Sequence, residues 1–164
     1  MTTKTNLARQ IREKADRLGI TIGVAESLTG GWVASSIVAI PGSSKILRGG
    51  IVAYQSSVKH ELLGVDLRLL SKLGAVNQEV ASSMAEGALR LFGADIAVAT
   101  TGFAGPEQKS DGNNEQGTVF VGIAGSKSGT LVRQIALDGD RTVIRSKATN
   151  AALEAILEAL ETWI

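Results

Sequence analysis

Ala25-Glu26-Ser27-Leu28-Thr29-Gly30-Gly31 follows directly on the apolar run Ile20 to Ala25. The run reads as a short buried strand, and the segment from Thr29 to Ile40 reads as a helix that opens at the Thr-Gly-Gly turn. Ser27 therefore stands at a strand-to-helix junction, on a sharp turn, with its hydroxyl free to leave the backbone. The glycine pair lets other atoms come close to main-chain N–H groups. A helix N-terminus adds unpaired donors and a partial positive charge. A hydroxyl nucleophile beside an anion-binding turn is the equipment of acyl transfer.

The same alternation of strand and helix continues in both directions. Leu7, Ile11, Ala15 and Leu18 fall on one helical face, and Gly19 reads as the C-cap. Pro41-Gly42-Ser43-Ser44 breaks the helix after Ile40. Gly49 to Tyr54 reads as a second strand, and Ser56 or Ser57 caps a helix that Gly64 ends. Asp66 starts a short helix stopped at Gly74, and Asn77 caps a helix with Val80, Met84, Ala88 and Leu91 on one face. Ala94 to Thr101 is a strand apolar on both faces, hence central. Gly102-Phe103-Ala104-Gly105-Pro106 opens a polar loop through Gln116, which reads as the mobile segment. Thr118–Ala124 and Leu131–Leu137 make an antiparallel hairpin around the Gly125 to Gly129 turn, and one long helix runs from about Asp140 to the C-terminus. Helices before, between and after the strands predict a single α/β domain over residues 1–164, a three-layer α/β/α sandwich with a mixed central sheet.

Composition narrows the chemistry. The 164 residues are 44% hydrophobic but only 4% aromatic, with 19 glycines, so the core is built from Ala, Val, Ile and Leu. The net charge of +1 gives no electrostatic case for nucleic acid or a membrane surface. The absence of cysteine excludes disulfides, thiolate metal sites and cysteine nucleophiles. The acidic residues have no metal-ligand spacing, so no metal is expected, and no cofactor. No Gly-x-x-x-x-Gly-Lys-Ser/Thr run is present, which argues against an NTPase. The first residues do not read as a signal peptide, and no apolar run is long enough to span a membrane, so the expected location is cytoplasmic.

Ser27 needs a base. His60, the sole histidine, is one candidate and Lys59 is another, with Tyr54 close by at the end of the second strand. If that strand neighbours the one ending at Ser27, both side chains reach one crevice at the strand ends, where open α/β sheets bind ligands. A lysine base must be neutral when it acts, and both burial and a nearby cation lower its pKa. Arg48, Arg141 or Arg145 would supply such a cation. Backbone N–H groups near Thr29 and Gly30, or in the Gly102 to Gly105 loop, would hold an oxyanion. Plainer readings compete with each of these: a simple helix cap at Ser27, a solvated Lys59, a surface His60, and surface arginines four apart at 141 and 145.

Taken together the segments resemble the CinA C-terminal domain family, the nicotinamide-nucleotide amidohydrolases, over nearly the whole chain. The resemblance rests on Ala25 to Gly31, Pro41-Gly42-Ser43-Ser44, Gly49 to Tyr54 followed by Lys59, Gly64-Val65, Gly74-Ala75-Val76, Gly102 to Pro106, Gly117-Thr118-Val119 and Gly139-Asp140-Arg141. It implies a metal-free serine–lysine amidohydrolase that converts nicotinamide mononucleotide to nicotinate mononucleotide and ammonia, a step in recycling pyridine nucleotides. Ser27 matches the family's nucleophile, Lys59 its general base, and Tyr54 a tyrosine of the same site. The substrate phosphate needs cationic or N–H partners, for which Arg141 and the glycine loops are candidates. The substrate-binding candidates are thus Thr29, Gly30, Gly31, Gly102, Ala104, Gly105 and Arg141.

The sequence departs from the family pattern at Leu28, usually Cys; at Gln55-Ser56 after Tyr54; at Asn77; at Thr101-Gly102-Phe103; and at Glu115-Gln116 before Gly117. These changes touch the pocket edge rather than Ser27, Tyr54 or Lys59. They leave an alternative of another class, a nucleotide-binding or regulatory module with little turnover, associated with competence or DNA damage. The family is often dimeric. The C-terminal helix carries Ala148, Ala151, Ala152, Ala155 and Ala159 among Leu153, Ile156, Leu157, Leu160 and Trp163, apolar on more than one face, which predicts a homodimer using this helix or the sheet edge.

Overall fold

Residue size alternates along the strands, and the alternation sorts the helices into two layers. In β3 (Ile96–Gly102), Ile96 and Val98 belong to one buried cluster while Ala97 and Ala99 belong to another. In β1 (Ile22–Glu26), Ile22 and Val24 join the first cluster and Ala25 the second. Successive strand residues point to opposite faces. The branched residues therefore meet α1 (Lys4–Leu18), α2 (Trp32–Val38) and α6 (Arg141–Thr162). The alanines meet α3 (Ser56–Leu63), α4 (Leu67–Leu73) and α5 (Gln78–Phe92). The computed structural model describes residues 3–106 and 115–162. The centre of the expected mobile loop, 107–114, and Trp163 lie outside them.

The sheet is five-stranded, in the order β2-β1-β3-β4-β5. β1 pairs in parallel with β2 (Leu47–Val52) and β3, while β4 (Thr118–Gly125) runs antiparallel to β3 and to β5 (Gly129–Ala136). This is the expected mixed α/β/α sandwich, with β3 central and the last two strands a hairpin. Small residues on the α5 face let that helix settle close to the sheet. A Cβ on Gly122 would stand 2.5 Å from Ala81 O, and one on Gly49 would stand 2.5 Å from the Phe92 ring. α5 and α3 approach as closely, since a Cβ on Gly87 would stand 2.1 Å from the backbone oxygen of Leu63.

Most element boundaries move by one to three residues from the sequence reading, and two of these shifts bear on the site. The second strand covers 47–52 rather than 49–54, because pairing begins with Leu47 opposite Ile22 and ends with Val52 opposite Glu26. Tyr54 lies two residues beyond the strand. The helix expected from Thr29 begins at Trp32, because Gly30 (φ +58°) and Gly31 (φ +96°) are left-handed and cannot propagate a helix. α2 ends where Ser43 folds back, its Oγ donating to Ile37 O at 2.6 Å. The broad apolar surface of α6 is consumed within the chain, where the helix packs against α1, α2, β3 and β4. Its breadth therefore supplies no argument for a dimer interface. Among the described residues no helix is long and apolar enough to cross a membrane.

Candidate active site

Strand parity places the two key groups of the Ser27 turn on opposite sides. Glu26 follows Ile22 and Val24 onto the α2 face, while Ser27 follows Gly23 and Ala25 toward the side of α3. From the first turn of α3, Lys59 reaches Ser27, with Nζ 3.1 Å from Oγ. Nζ also donates to Ala53 O at 2.6 Å and to Tyr54 O at 3.0 Å. Lys59 is only 1% exposed, which puts an ammonium group where water cannot solvate it. Burial lowers its pKa from 10.5 to about 8. At neutral pH about a tenth of such lysines are uncharged, roughly 300 times the fraction of an ordinary lysine.

The three oxygen partners of Nζ match the three N–H bonds of the ammonium form, and two of them also suit the neutral amine. A neutral amine has two N–H bonds and one lone pair. The two carbonyls take the N–H bonds. The third N–H of the ammonium form donates to Ser27 Oγ, and on its loss the lone pair faces Ser27, whose O–H can then donate to it. Desolvation alone accounts for the lowered pKa. The three arginines expected to depress it are engaged elsewhere. Arg48 donates to Phe92 O, Arg141 to Tyr54 Oη at 3.1 Å, and Arg145 to Leu28 O and Thr29 O. His60 is engaged in the turn after α3, where its Nδ1 donates to Val65 O at 2.8 Å, and it is not among the residues around the Lys59–Ser27 pair.

A cavity of about 190 Å³ opens over the pair. Ser27, Lys59, Tyr54, Gly102, Ala104 and Arg141, all expected at the site, line it together. Gly105 sits at its edge, where a Cβ would meet the Arg141 guanidinium at 3.3 Å. Thr29, Gly30 and Gly31 are not lining residues. The Thr29 hydroxyl is buried against Thr100 Oγ1 at 2.7 Å, the Gly30 N–H donates to Ser27 O, and the Gly31 N–H donates to Glu26. Among the described residues, the N–H groups of Leu28, Thr29, Ala104 and Gly105 have no acceptor. Of these four residues, Leu28 and Ala104 line the cavity.

Sequence reasoning missed Glu26. Its carboxylate is 1% exposed and accepts from the N–H groups of Gly31 (3.0 Å), Val33 (3.1 Å) and Ala34 (2.9 Å). The positive end of α2 is thereby answered from inside the chain and is not offered to a ligand, contrary to expectation. Ala75 and Val76 were also missed as lining residues, while Leu28, Thr101 and Phe103, departures from the family pattern expected at the pocket edge, do line the cavity. Thr101 owes its place to the end of an otherwise apolar strand, Ile96-Ala97-Val98-Ala99-Thr100-Thr101. No group of His, Asp and Glu among the described residues is arranged to hold a metal ion.

A buried lysine on a serine at the carboxyl ends of parallel strands places the chain among α/β proteins with ligand sites at such edges. It belongs to the CinA C-terminal domain family, whose model it matches over residues 4–160. Over 140 residues it is 44% identical to a CinA-like protein of Frankia casuarinae, covering 85% of this chain and 32% of that protein. Over 161 residues it is 40% identical to a CinA-like protein of Geobacter sulfurreducens, covering 98% of this chain and 38% of that protein. The chain thus spans about a third of the length of these relatives. Its fold matches the competence damage-inducible protein A of Klebsiella pneumoniae with a TM-score of 0.93, at 30% identity over 99% of both chains. It matches a competence/damage inducible protein of Agrobacterium tumefaciens with a TM-score of 0.90, at 35% identity over 97% of this chain and 96% of that one.

Proposed function

We propose that this domain is a serine–lysine amidohydrolase that removes ammonia from the carboxamide of nicotinamide mononucleotide. The observation that carries the reading is the Lys59 amine, buried, two-thirds committed to carbonyls and 3.1 Å from the Ser27 hydroxyl. A binding module has no need to keep a desolvated lysine against a serine. In the reaction, neutral Lys59 takes the Ser27 proton as Oγ bonds to the carboxamide carbon. The carbonyl electron pair moves onto oxygen, which the Leu28 and Ala104 N–H groups stabilise. The tetrahedral intermediate collapses, the C–N bond breaks, and the Lys59 ammonium gives its proton to the leaving nitrogen. Water then attacks the ester, with Lys59 taking the water proton and returning it to Ser27. Arg141, exposed at the cavity rim and bonded to Tyr54, is placed to meet the substrate phosphate.

The test is ammonia release from nicotinamide mononucleotide by the parent, Ser27→Ala and Lys59→Ala. The expected result is turnover by the parent and its loss in both variants. Full activity in Ser27→Ala refutes the mechanism, and a folded, inactive parent that binds the nucleotide favours the regulatory reading. The family resemblance also supports a homodimer, which a monomer mass by light scattering across concentrations would refute.

A further inference from the structure

Arg145 reaches the residues that follow Ser27 from the opposite layer of the fold. It projects from α6, one turn beyond Arg141, and its Nε donates to Leu28 O at 2.8 Å while Nη2 donates to Thr29 O at 3.3 Å. Its guanidinium carbon lies 3.9 Å from the centroid of the Trp32 ring, so the same plane that holds the carbonyls is stacked on the first residue of α2. The approach depends on Gly30, where a Cβ would stand 2.9 Å from Nη2.

We propose that Arg145 is a positioning residue for Ser27, gripping the turn from Leu28 to Gly30 so that the nucleophile keeps its place against Lys59. The inference rests on the serine–lysine reading. A trans peptide is planar, so a carbonyl held on one side sends the following N–H to the other. Arg145 on Leu28 O and Thr29 O therefore sets the directions of the Thr29 and Gly30 N–H groups, and the Gly30 N–H closes onto Ser27 O at 3.1 Å. Glu26 anchors the far side of the same turn through the Gly31 N–H. Arg145 and Glu26 thus hold a five-residue turn by opposite poles of its peptides, without either charge touching Ser27.

The experiment compares the parent, Arg145→Met, Arg145→Lys and Trp32→Leu. It measures kcat and KM for nicotinamide mononucleotide, and hydrogen–deuterium exchange by mass spectrometry over 27–34. In Arg145→Met, kcat is expected to fall about 10- to 100-fold with KM within about twofold, because a misplaced nucleophile loses rate rather than affinity. Exchange over 27–34 is expected to speed up while that of β3 and α5 stays unchanged. Arg145→Lys should recover part of kcat, since an ammonium group bonds one carbonyl but cannot span two. Trp32→Leu, which keeps the guanidinium and removes its stacking surface, should shift kcat and exchange in the same direction by less. Unchanged exchange over 27–34 in Arg145→Met overturns the proposal whatever the activity. So does unchanged kcat, or a loss in kcat that Arg145→Lys does not relieve. A parent without amidase activity, combined with faster exchange in Arg145→Met, supports the grip on the turn and refutes the amidohydrolase reading instead.

Discussion

Replacing Lys59 by Met should remove a pH dependence of folding that the parent carries. The folded-state pKa of Lys59 is about 8, against 10.5 for an unburied lysine. Below pH 8 both states hold the proton, and the folded state bears the full penalty of a buried ammonium group. Between about 8 and 10.5 the unfolded chain binds the proton and the folded chain does not, so stability rises with pH across that window. Each pKa unit is worth about 1.36 kcal/mol, so the window amounts to roughly 3 kcal/mol. The assay is urea unfolding of the parent and Lys59→Met at pH 7, 8, 9 and 10, with the difference between the two free energies plotted against pH. Subtraction cancels the titration of every group the two share. The expected difference is flat to about pH 8 and then moves in favour of the parent by roughly 3 kcal/mol as pH approaches 10.5. Parallel curves over the whole range would refute desolvation of Lys59, and with it the neutral-base argument.

The same pKa sets the rate profile. Below about pH 8, kcat/KM for nicotinamide mononucleotide should rise about tenfold per pH unit and then level off, and a profile without that limb would exclude Lys59 as the base. Glu26→Gln keeps one carbonyl oxygen for three N–H donors and turns an amide N–H toward them. It should cost roughly 3 kcal/mol in urea unfolding, and a loss under about 0.5 kcal/mol would show that the carboxylate is dispensable. Arg141→Met should raise KM for nicotinamide mononucleotide at least about tenfold while leaving that for nicotinamide riboside nearly unchanged. An equal rise for both would remove the phosphate from Arg141.

Much of this arrangement was legible because it is written in local patterns. The branched–small alternation of Ile96-Ala97-Val98-Ala99 marks a strand buried on both faces, and Asn77 caps α5 through the Val80 N–H at 2.9 Å. Ser27, Tyr54 and Lys59 could be brought together because adjacent parallel strands deliver their carboxyl ends to one edge. The role of Glu26 was not legible. Strand parity gives its direction only once the strand's end is known, and the helix start was placed three residues early. The lowering of the Lys59 pKa was foreseen in direction, but half its expected cause was wrong. Which arginine faces which carbonyl is decided by the docking of α6, a helix more than eighty residues away in sequence. No local pattern records it.

Gly87 lies in the middle of α5, where alanine would favour the helix by about 1 kcal/mol. The space its side chain would take is filled by the Leu63 carbonyl at the end of α3. A single methyl group there would push back the helix that carries Lys59, and Nζ has little slack among its three partners. The reach of the base toward the serine is thus limited by a residue that touches neither. In this chain the Lys59–Ser27 contact can be lost at a position that a survey of the cavity would never visit.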